Sequence, residues 1–343
     1  MSAQGLHGET SNRPVPLLDV CDLSVAFPGH LAVRGISFQI RRGETLALVG
    51  ESGCGKSATS LAIMQLLPRG TRLSGQVLFG GTDLVRADAH MLREVRGKRI
   101  GLILQEPMTS LNPVLTIGEQ IAESLIRHDR LTARLARART VELLDLVRIP
   151  DAHRRYDDYP HNMSGGMRQR VMIAMAVACN PELIIADEPT TALDVTLQSD
   201  VLELLDSLRR QLHMGLLLIT HDLGVVAQWA DRVAVMYAGS IVEMAETHAL
   251  FERPLHPYSR GLMGSTVRLE SGAHYTTARL TEIPGSVASA TGETGCTFAP
   301  RCPQVIAQCR IAPPPLVPLP DRLAACRLAT ETPKEAARVA AGC

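Results

Sequence analysis

The chain has 343 residues, of which 45% are hydrophobic, and its 35 basic and 35 acidic side chains give a formal net charge of zero. This length and hydrophobic content exclude a mainly disordered chain and predict one large core domain with a smaller appendage. The balanced charge argues against a protein that holds nucleic acid chiefly by neutralising phosphates. We therefore expect no nucleic-acid partner.

No segment of the sequence has the pattern of a membrane span. The longest unbroken apolar run, Val171 to Cys179, is well short of the roughly 20 residues that cross a bilayer. The first residues, MSAQGLHGETSNRPVP, lack the basic and apolar regions of a secretory signal. We expect a cytoplasmic protein with residues 1–16 as a flexible N-terminus and with reduced cysteines.

Short apolar runs alternate with longer segments of helical periodicity, which predicts an α/β fold with a mainly parallel sheet covered by helices. The runs are TLALVG (45–50), RIGLIL (99–104), LIIAD (183–187) and GLLLIT (215–220). Before them, LLDVCDLSVAF and VRGISFQI alternate apolar and polar residues, which indicates a small antiparallel β subdomain. Strand signals disappear between about 116 and 157, so we expect an inserted helical subdomain over about 106–170.

A phosphate-binding loop is predicted directly after the first of these runs. The segment GESGCGKS (50–57) matches G-x-x-x-x-G-K-[ST] between a strand and a helical segment, which is the context that this motif requires. Its backbone N–H groups would surround phosphate oxygens, Lys56 would hold the β- and γ-phosphates, and Ser57 would ligate Mg²⁺. The expected nucleotide-binding residues are Gly50, Ser52, Gly53, Cys54, Gly55, Lys56 and Ser57, with Cys54 acting through its backbone alone.

The buried strand LIIAD ends in one acidic residue, Asp187, and a second, Glu188, follows it directly. Asp187 would lie near the Mg²⁺ of the phosphate loop, and Glu188 would face the attacking water as a catalytic base. Together with the phosphate loop, this pair predicts an ATPase.

A third motif, MSGGMRQR (163–170), lies between the phosphate loop and the acidic strand end. With these three motifs, the chain resembles the ATP-binding subunits of ABC transporters. The resemblance implies a P-loop NTPase fold of ABC type, in which Ser164, Gly165 and Gly166 bind the γ-phosphate of the ATP on the other subunit. Many members have Leu where this chain has Met163, and a swap of similar apolar volume should cost little.

Four further positions take their roles from the same resemblance. Gln105 in LILQEP is similar to the glutamine that contacts the Mg²⁺ site and links it to the helical subdomain, and Asp194 in TTALD to the loop that crosses the dimer interface. His221 is similar to the histidine on the γ-phosphate, and Phe27 to the aromatic residue that stacks on adenine. The resemblance thus implies Glu188, His221 and Gln105 as the catalytic set.

The C-terminal part resembles the ATPases of dipeptide, oligopeptide and nickel importers. The matching pieces are HPYSRGLMGS (256–265), IPGSV (283–287) and GCTFAPRCPQVIAQC (295–309). We therefore expect an ABC ATPase domain at 17–265 and a loop-rich tail at 266–343. The resemblance implies a peripheral protein on the cytoplasmic face of the inner membrane. Its implied partners are a second, similar ATPase, two membrane permeases and an extracytoplasmic solute-binding protein.

Four cysteines of the tail, Cys296, Cys302, Cys309 and Cys326, are spaced C-x5-C-x6-C-x16-C. The lack of a close C-x2-C pair argues mildly against a zinc site. Four thiolates in irregular loops suit a [4Fe-4S] cluster, which is also what the importer resemblance implies. Zinc and uncoordinated thiols remain as alternatives. We expect the tail site to be structural or regulatory and to share no partners with the nucleotide site.

The sequence leaves the transported solute open. Peptides are favoured, with nickel or a glutathione-like or opine-like compound as alternatives. ABC-type ATPases of DNA repair carry long coiled coils between the phosphate loop and the signature, and this chain has no sustained heptads there. Translation ATPases need two sets of motifs in one chain, and only one set is present.

Overall fold

The computed structural model describes residues 15–105, 110–191, 194–265, 283–290 and 292–329. The strands within these ranges are β1 Leu18–Phe27, β2 His30–Ile40, β3 Thr45–Val49, β4 Arg72–Phe79, β5 Thr82–Asp83, β6 Ile100–Ile103, β7 Leu183–Asp187, β8 Gly215–Thr220, β9 Arg232–Tyr237, β10 Ser240–Glu246, β11 Val317–Leu319 and β12 Arg322–Ala324. The helices are α1 Lys56–Ile63, α2 Ala89–Val95, α3 Ile117–Asp129, α4 Ala133–Leu146, α5 Ala152–Arg155, α6 Gly165–Val177, α7 Val195–Leu212, α8 Leu223–Trp229, α9 Thr247–Glu252 and α10 Pro257–Gly264.

The main sheet has the strand order β11-β12-β10-β9-β3-β8-β7-β6. Strands β9, β3, β8, β7 and β6 run parallel, whereas β10, β12 and β11 are added antiparallel at one edge. Every residue of β3, β7 and β8 is buried, as the continuous apolar runs predict for parallel strands covered on both faces. The carboxyl ends of β3, β6, β7 and β8 therefore meet at one edge of the sheet.

A second, antiparallel sheet has the order β2-β1-β4-β5. Buried side chains alternate along β1 and β2, in agreement with the predicted half-buried strands. Apolar residues of this sheet, such as Val20 and Phe38, pack in one cluster with Leu46 of β3 and Leu217 of β8. The antiparallel sheet thus covers one face of the main sheet and the start of the phosphate loop.

Helices α3 to α6 lie between β6 and β7, where the sequence predicts an inserted helical subdomain, and α6 continues past the expected boundary at about 170. Helix α3 begins at a capping box, in which the Thr116 side chain accepts from the Glu119 backbone N–H and the Glu119 carboxylate accepts from that of Thr116. The apolar faces of the helices α3 to α6 pack with Ile184 of β7 and Leu218 of β8 in one core cluster. The expected start of the helical subdomain, at about 106, falls within residues 106–109, which lie outside the described ranges.

The tail is joined to the main sheet and does not pack apart from it. Strand β12 pairs with β10 over Glu243–Ala245, and β11 pairs with β12. Ahead of these strands, short 3₁₀ helices lie at Val287–Ala290, Ala299–Arg301 and Ala307–Arg310. Phe298 is buried in a third cluster, which also contains Tyr237 of β9 and Tyr258 of α10.

Among the helices that the structure describes, none combines the length and the apolarity needed to cross a membrane.

Candidate functional site

The segment Gly50–Ser57 forms a tight loop between β3 and α1. Gly55 precedes α1 with a φ of +107°, a backbone conformation that favours glycine. A Cβ on Gly55 would lie 2.5 Å from the Ala32 carbonyl oxygen, and one on Gly50 would collide with the Met236 carbonyl oxygen. Glycine is therefore required at both positions, and the N-terminus of α1 faces the loop as the motif predicts.

The Lys56 side chain is folded back onto this loop. Its Nζ donates to the carbonyl oxygens of Gly50 at 2.7 Å and Glu51 at 3.1 Å, and the residue is only 6% exposed. The Cys54 thiol is buried below the loop, and burial raises its pKa. Lys56 thus lies where a bound phosphate would exchange for the two carbonyl oxygens, whereas Cys54 faces away from solvent.

Asp187 lies at the carboxyl end of β7 and is 4% exposed. Burial raises its pKa, and the hydroxyls of Ser57 and Ser60 oppose that rise. Its Oδ2 accepts from Ser60 Oγ at 3.2 Å, whereas its Oδ1 is buried without a hydrogen-bond partner of ordinary length among the described residues. A buried carboxylate oxygen without a partner, beside a serine hydroxyl, fits the hard oxygen ligands that Mg²⁺ prefers.

Glu188 is surrounded by polar side chains from neighbouring strand ends. Its Oε2 accepts from Gln105 Nε2 at 3.0 Å and from Thr191 Oγ1 at 2.9 Å. Its Oε1 lies 3.2 Å from Nδ1 of His221. The structure therefore brings the three predicted catalytic residues, Gln105, Glu188 and His221, into one cluster.

The Glu188 backbone is in the left-handed region, with a φ of +48°, which non-glycine residues rarely adopt. Its N–H donates to the Ile219 carbonyl oxygen at 2.9 Å, and this bond to β8 holds the residue in place. Local strain of this kind is concentrated at functional sites. The backbone conformation after β7 therefore sets the direction of the Glu188 carboxylate.

Ser164 and Asp194 each cap a helix near the signature segment. Ser164 Oγ accepts from the Met167 backbone N–H at the start of α6, and Asp194 Oδ1 accepts from that of Leu197 at the start of α7. Ser164, Gly165 and Asp194 are exposed, whereas Gly166 is buried against Leu197. The exposed signature is available to another chain. Residues 192–193, next to Asp194, lie outside the described ranges.

Phe27 lies at the turn between β1 and β2 and packs partly buried against the core below the antiparallel sheet. A cavity of about 320 Å³ adjoins the phosphate loop at Ser52 and Gly53 and is closed on another side by Val287 and Ala290 of the tail. Phe27 does not line this cavity. Its role toward adenine stays a prediction.

An ion pair between a buried arginine and a partly exposed glutamate, which the sequence did not reveal, joins the tail to the phosphate loop. Arg301 donates to Glu51 Oε2 at 2.7 Å and Oε1 at 3.1 Å, and the Tyr258 hydroxyl accepts from the Glu51 backbone N–H at 2.9 Å. The structure therefore connects the tail to the nucleotide site through Arg301, and the expectation that the four-cysteine site shares no partners with the nucleotide site stays a prediction. Glu51 occupies a variable motif position far from Arg301 in sequence, so no spacing could have linked them.

The thiols of the four tail cysteines are unpaired in the structure. Burial raises the pKa of Cys296 to about 11 and raises the pKa of Cys302 and Cys326 in the same direction, and neighbouring cysteines of this set add to each rise. The Cys296 N–H donates to the Cys309 carbonyl oxygen at 2.7 Å, so these two cysteines lie side by side. Nevertheless, in the part of the chain that the structure describes, no three His, Cys, Asp or Glu residues are grouped as a metal site would require. The structure thus gives no support to the iron–sulfur prediction.

Two family models match the chain in succession. Residues 33–191 match the ABC transporter family, and residues 242–309 match the C-terminal region of oligopeptide/dipeptide transporters. The first range contains the phosphate loop, the signature and Glu188, and the second contains Tyr258, Arg301 and three of the four tail cysteines.

Individual relatives give the same result. The dipeptide transport ATP-binding protein DppD of Bacillus subtilis is 48% identical over 300 residues, which are 85% of this chain and 88% of DppD. The oligopeptide transport ATP-binding protein OppD of Bacillus subtilis is 51% identical over 280 residues, which are 80% of this chain and 77% of OppD.

Solved structures are similar over the ATPase core. MJ0796, a bacterial ABC transporter cassette, aligns with a TM-score of 0.60 at 27% identity, over 67% of this chain and 98% of MJ0796. CbiO1 from Clostridium perfringens aligns with a TM-score of 0.60 at 26% identity, over 69% of this chain and 91% of CbiO1. The predicted fold of ABC type is confirmed. The chain belongs to the ATPase subunits of ABC transporters, in the branch that carries the oligopeptide/dipeptide C-terminal region.

Proposed function

We propose that this chain is the motor subunit of an importer that takes up dipeptides or oligopeptides through two membrane permeases. The observation that carries the motor role is the Glu188 carboxylate, held by Gln105, Thr191 and His221 beside the buried Asp187. The dipeptide and oligopeptide transport roles of DppD and OppD, and the matching C-terminal region, support peptides as the solute.

In the proposed reaction Glu188 polarises the water that attacks the γ-phosphate, and His221 contacts the same phosphate. Lys56 leaves the carbonyl oxygens of Gly50 and Glu51 to bind the β- and γ-phosphates. Mg²⁺ would be held by Asp187 with Ser57 and Gln105, and when bound it neutralises the phosphate charge. Phe27 would stack on adenine.

The proposed motor works as a pair of ATPase subunits. The exposed Ser164 and Gly165 at the N-terminus of α6, with Gly166 behind them, would bind the γ-phosphate of the ATP on a partner chain, and Asp194 would cross the same interface. Nucleotide that contacts both chains only in the closed pair must favour closure. We propose a second, similar but different ATPase as the partner.

Closure and reopening of the pair would alternate the access of two permeases, to which an extracytoplasmic binding protein delivers the solute. The chain would then act as a peripheral subunit on the cytoplasmic face of the inner membrane. We assign the motor to residues 17–265, with the helical subdomain at about 106–170, a flexible segment at 1–16 and the tail at 266–343.

For the tail we keep a [4Fe-4S] cluster on Cys296, Cys302, Cys309 and Cys326 as a proposal. It is supported by the resemblance of the tail to importer ATPases and by the backbone hydrogen bond that holds Cys296 beside Cys309. No step of the reaction depends on it.

The solute class is tested with the complete transporter in proteoliposomes. Purified binding protein is added with a dipeptide, a pentapeptide, glutathione, an opine or Ni²⁺, and ATP-driven uptake is measured. Peptides should be the solutes that stimulate hydrolysis and accumulate. Uptake of Ni²⁺, glutathione or the opine without uptake of either peptide would overturn the peptide proposal and leave the motor role standing.

A further inference from the structure

The guanidinium of Arg301 occupies a site built from both parts of the chain. Its Nη1 and Nη2 form a bidentate pair with Glu51 of the phosphate loop. Three further bonds go to the carbonyl oxygens of Ile283, Pro284 and Gly285, at 3.1, 2.7 and 3.2 Å, and Nη1 also donates to the Tyr237 hydroxyl at 3.4 Å. With a side chain that is 4% exposed, Arg301 bridges the IPGSV segment of the tail and the loop that binds phosphate.

Aromatic residues hold this bridge against the main sheet. The Arg301 guanidinium lies 5.7 Å from the ring centre of Tyr237 at the end of β9, and Phe298 packs on that ring at 5.1 Å. Tyr258 lies 4.7 Å from Tyr237 and accepts from the Glu51 N–H. The loop residue Glu51 is therefore held through its backbone by Tyr258 of α10 and through its carboxylate by Arg301 of the tail.

The position of Glu51 gives this contact a consequence for nucleotide binding. A carboxylate in a loop that must receive a triphosphate opposes binding, unless a cation neutralises it. Arg301 supplies that cation, and its fork geometry fixes the carboxylate on the tail side. The Glu51 carbonyl oxygen also accepts from Lys56 Nζ at 3.1 Å, so the placement of Glu51 is coupled to the lysine that binds phosphate.

We propose that Arg301 is a positioning residue for ATP binding, which acts from the tail by neutralising Glu51 and orienting it in the phosphate loop. The inference rests on the ATP-binding role of the loop and goes beyond it, because it makes nucleotide affinity depend on the C-terminal tail. It assigns a role in the motor to a region outside the ABC transporter match at 33–191.

The test is a double-mutant cycle on the full-length chain. The affinity for Mg²⁺-ATPγS is measured by calorimetry for the wild type, Arg301→Met, Glu51→Gln and the double variant. Arg301→Met should bind roughly ten-fold more weakly, as expected for an uncompensated charge near phosphate. In the Glu51→Gln background the same change should cost about two-fold or less, because the opposing carboxylate is gone.

A buried arginine elsewhere in the tail provides the matched control. Arg322 pairs with Glu243 and Asp321 and donates to the carbonyl oxygens of Ala249 and Arg253, without contacting the phosphate loop. Arg322→Met should bind ATPγS within about two-fold of the wild type. Arg301→Lys, which keeps the charge without the fork, should recover only part of the affinity, because it neutralises Glu51 without the bidentate orientation.

Steady-state measurements of ATP hydrolysis distinguish a positioning role of Arg301 from general damage to the fold. Arg301→Met should raise KM for ATP roughly ten-fold with kcat changed by less than about two-fold, as loss of uniform binding does. Equal losses of affinity in both Glu51 backgrounds, an equal loss for Arg322→Met, or no loss at all would overturn the inference. Lys56→Ala tests the loop itself: a variant that binds ATPγS like the wild type would overturn the proposed site and this inference with it.

Discussion

Gln105 and Glu188, 83 residues apart in the chain, share a hydrogen bond of 3.0 Å between Nε2 and Oε2. The two residues follow β6 and β7, which pair in parallel, so their carboxyl ends lie side by side. His221 follows β8, the next strand in the sheet, and reaches the other oxygen of the same carboxylate. Three sequence-distant residues thus converge because three parallel strands end at one edge.

This convergence predicts that His221 contributes to ATP hydrolysis and not to the stability of the fold. His221→Ala should lower kcat for ATP by roughly 10² while the protein remains folded, because the side chain is largely exposed. His248 offers a matched control, since it is also exposed and its Nδ1 lies 3.5 Å from Glu252. Steady-state ATPase assays on both variants decide the point, and equal activity of His221→Ala and His248→Ala would contradict the prediction.

The exposed signature predicts a nucleotide-dependent pair of subunits. Gly165→Asp should abolish the ATP-bound dimer, because it places an anion where the γ-phosphate of the partner is expected to bind. The change should not unfold the chain, since a carboxylate is favourable at the N-terminus of α6. Light scattering with ATP and the partner ATPase, in a Glu188→Gln background, measures the dimer. Gly165→Ala adds no charge and should still dimerise, and a dimer that survives Gly165→Asp would refute the arrangement.

His256, at the start of α10, predicts a pH dependence of stability. Burial, assisted by the nearby charge of Arg260, lowers its pKa from 6.5 to about 3. The unfolded chain therefore binds a proton that the folded chain does not. The stability tied to this residue is complete above pH 6.5 and falls on acidification, by about 1.4 kcal/mol per pH unit down to the folded pKa.

Urea unfolding at pH 7 and pH 5 measures this effect. His256→Asn keeps an acceptor for the Tyr258 N–H, and it should lose about 2 kcal/mol less than the wild type between the two pH values. His153→Asn, a change at an exposed histidine, should follow the wild type. Parallel losses in all three proteins would show that His256 does not cause the acid sensitivity.

The cysteine segment predicts a metal content that can be measured directly. Anaerobically purified protein should be brown and contain about four irons per chain if the four thiolates hold one cluster. Cys302→Ser should lose the colour, whereas Cys21→Ser, at a cysteine of β1, should keep it. Colourless protein with one zinc, or with no metal after anaerobic purification, would contradict the iron–sulfur proposal.

The parts of the site that could be predicted from sequence are those with local signals. The loop Gly50–Ser57 is contiguous, and the strand before Asp187 and Glu188 is a short apolar run, so each could be placed without tertiary information. Gln105 and His221 also follow such runs, and parallel strands bring their ends together. The resemblance to a family supplied their roles, which periodicity alone could not.

The Arg301–Glu51 pair could not be predicted in this way. Glu51 stands at a motif position where any residue is allowed, and Arg301 stands in a segment with no regular periodicity. Around Arg301 the tail is held by long-range packing of Phe298 against Tyr237 of β9 and Tyr258 of α10, and such packing leaves almost no pattern in the sequence.

The central claim is that Glu188 is the catalytic carboxylate of an ATPase, and a single substitution tests it. In the complex with the partner ATPase, Glu188→Gln should still bind ATP but slow its hydrolysis by roughly 10² or more, since it removes the positioned base. Glu182→Gln is the control, because Glu182 precedes the other end of the same strand, where it pairs with Arg99. Slow turnover in Glu188→Gln with near-normal turnover in Glu182→Gln is the predicted result, and undiminished turnover in Glu188→Gln would contradict the account.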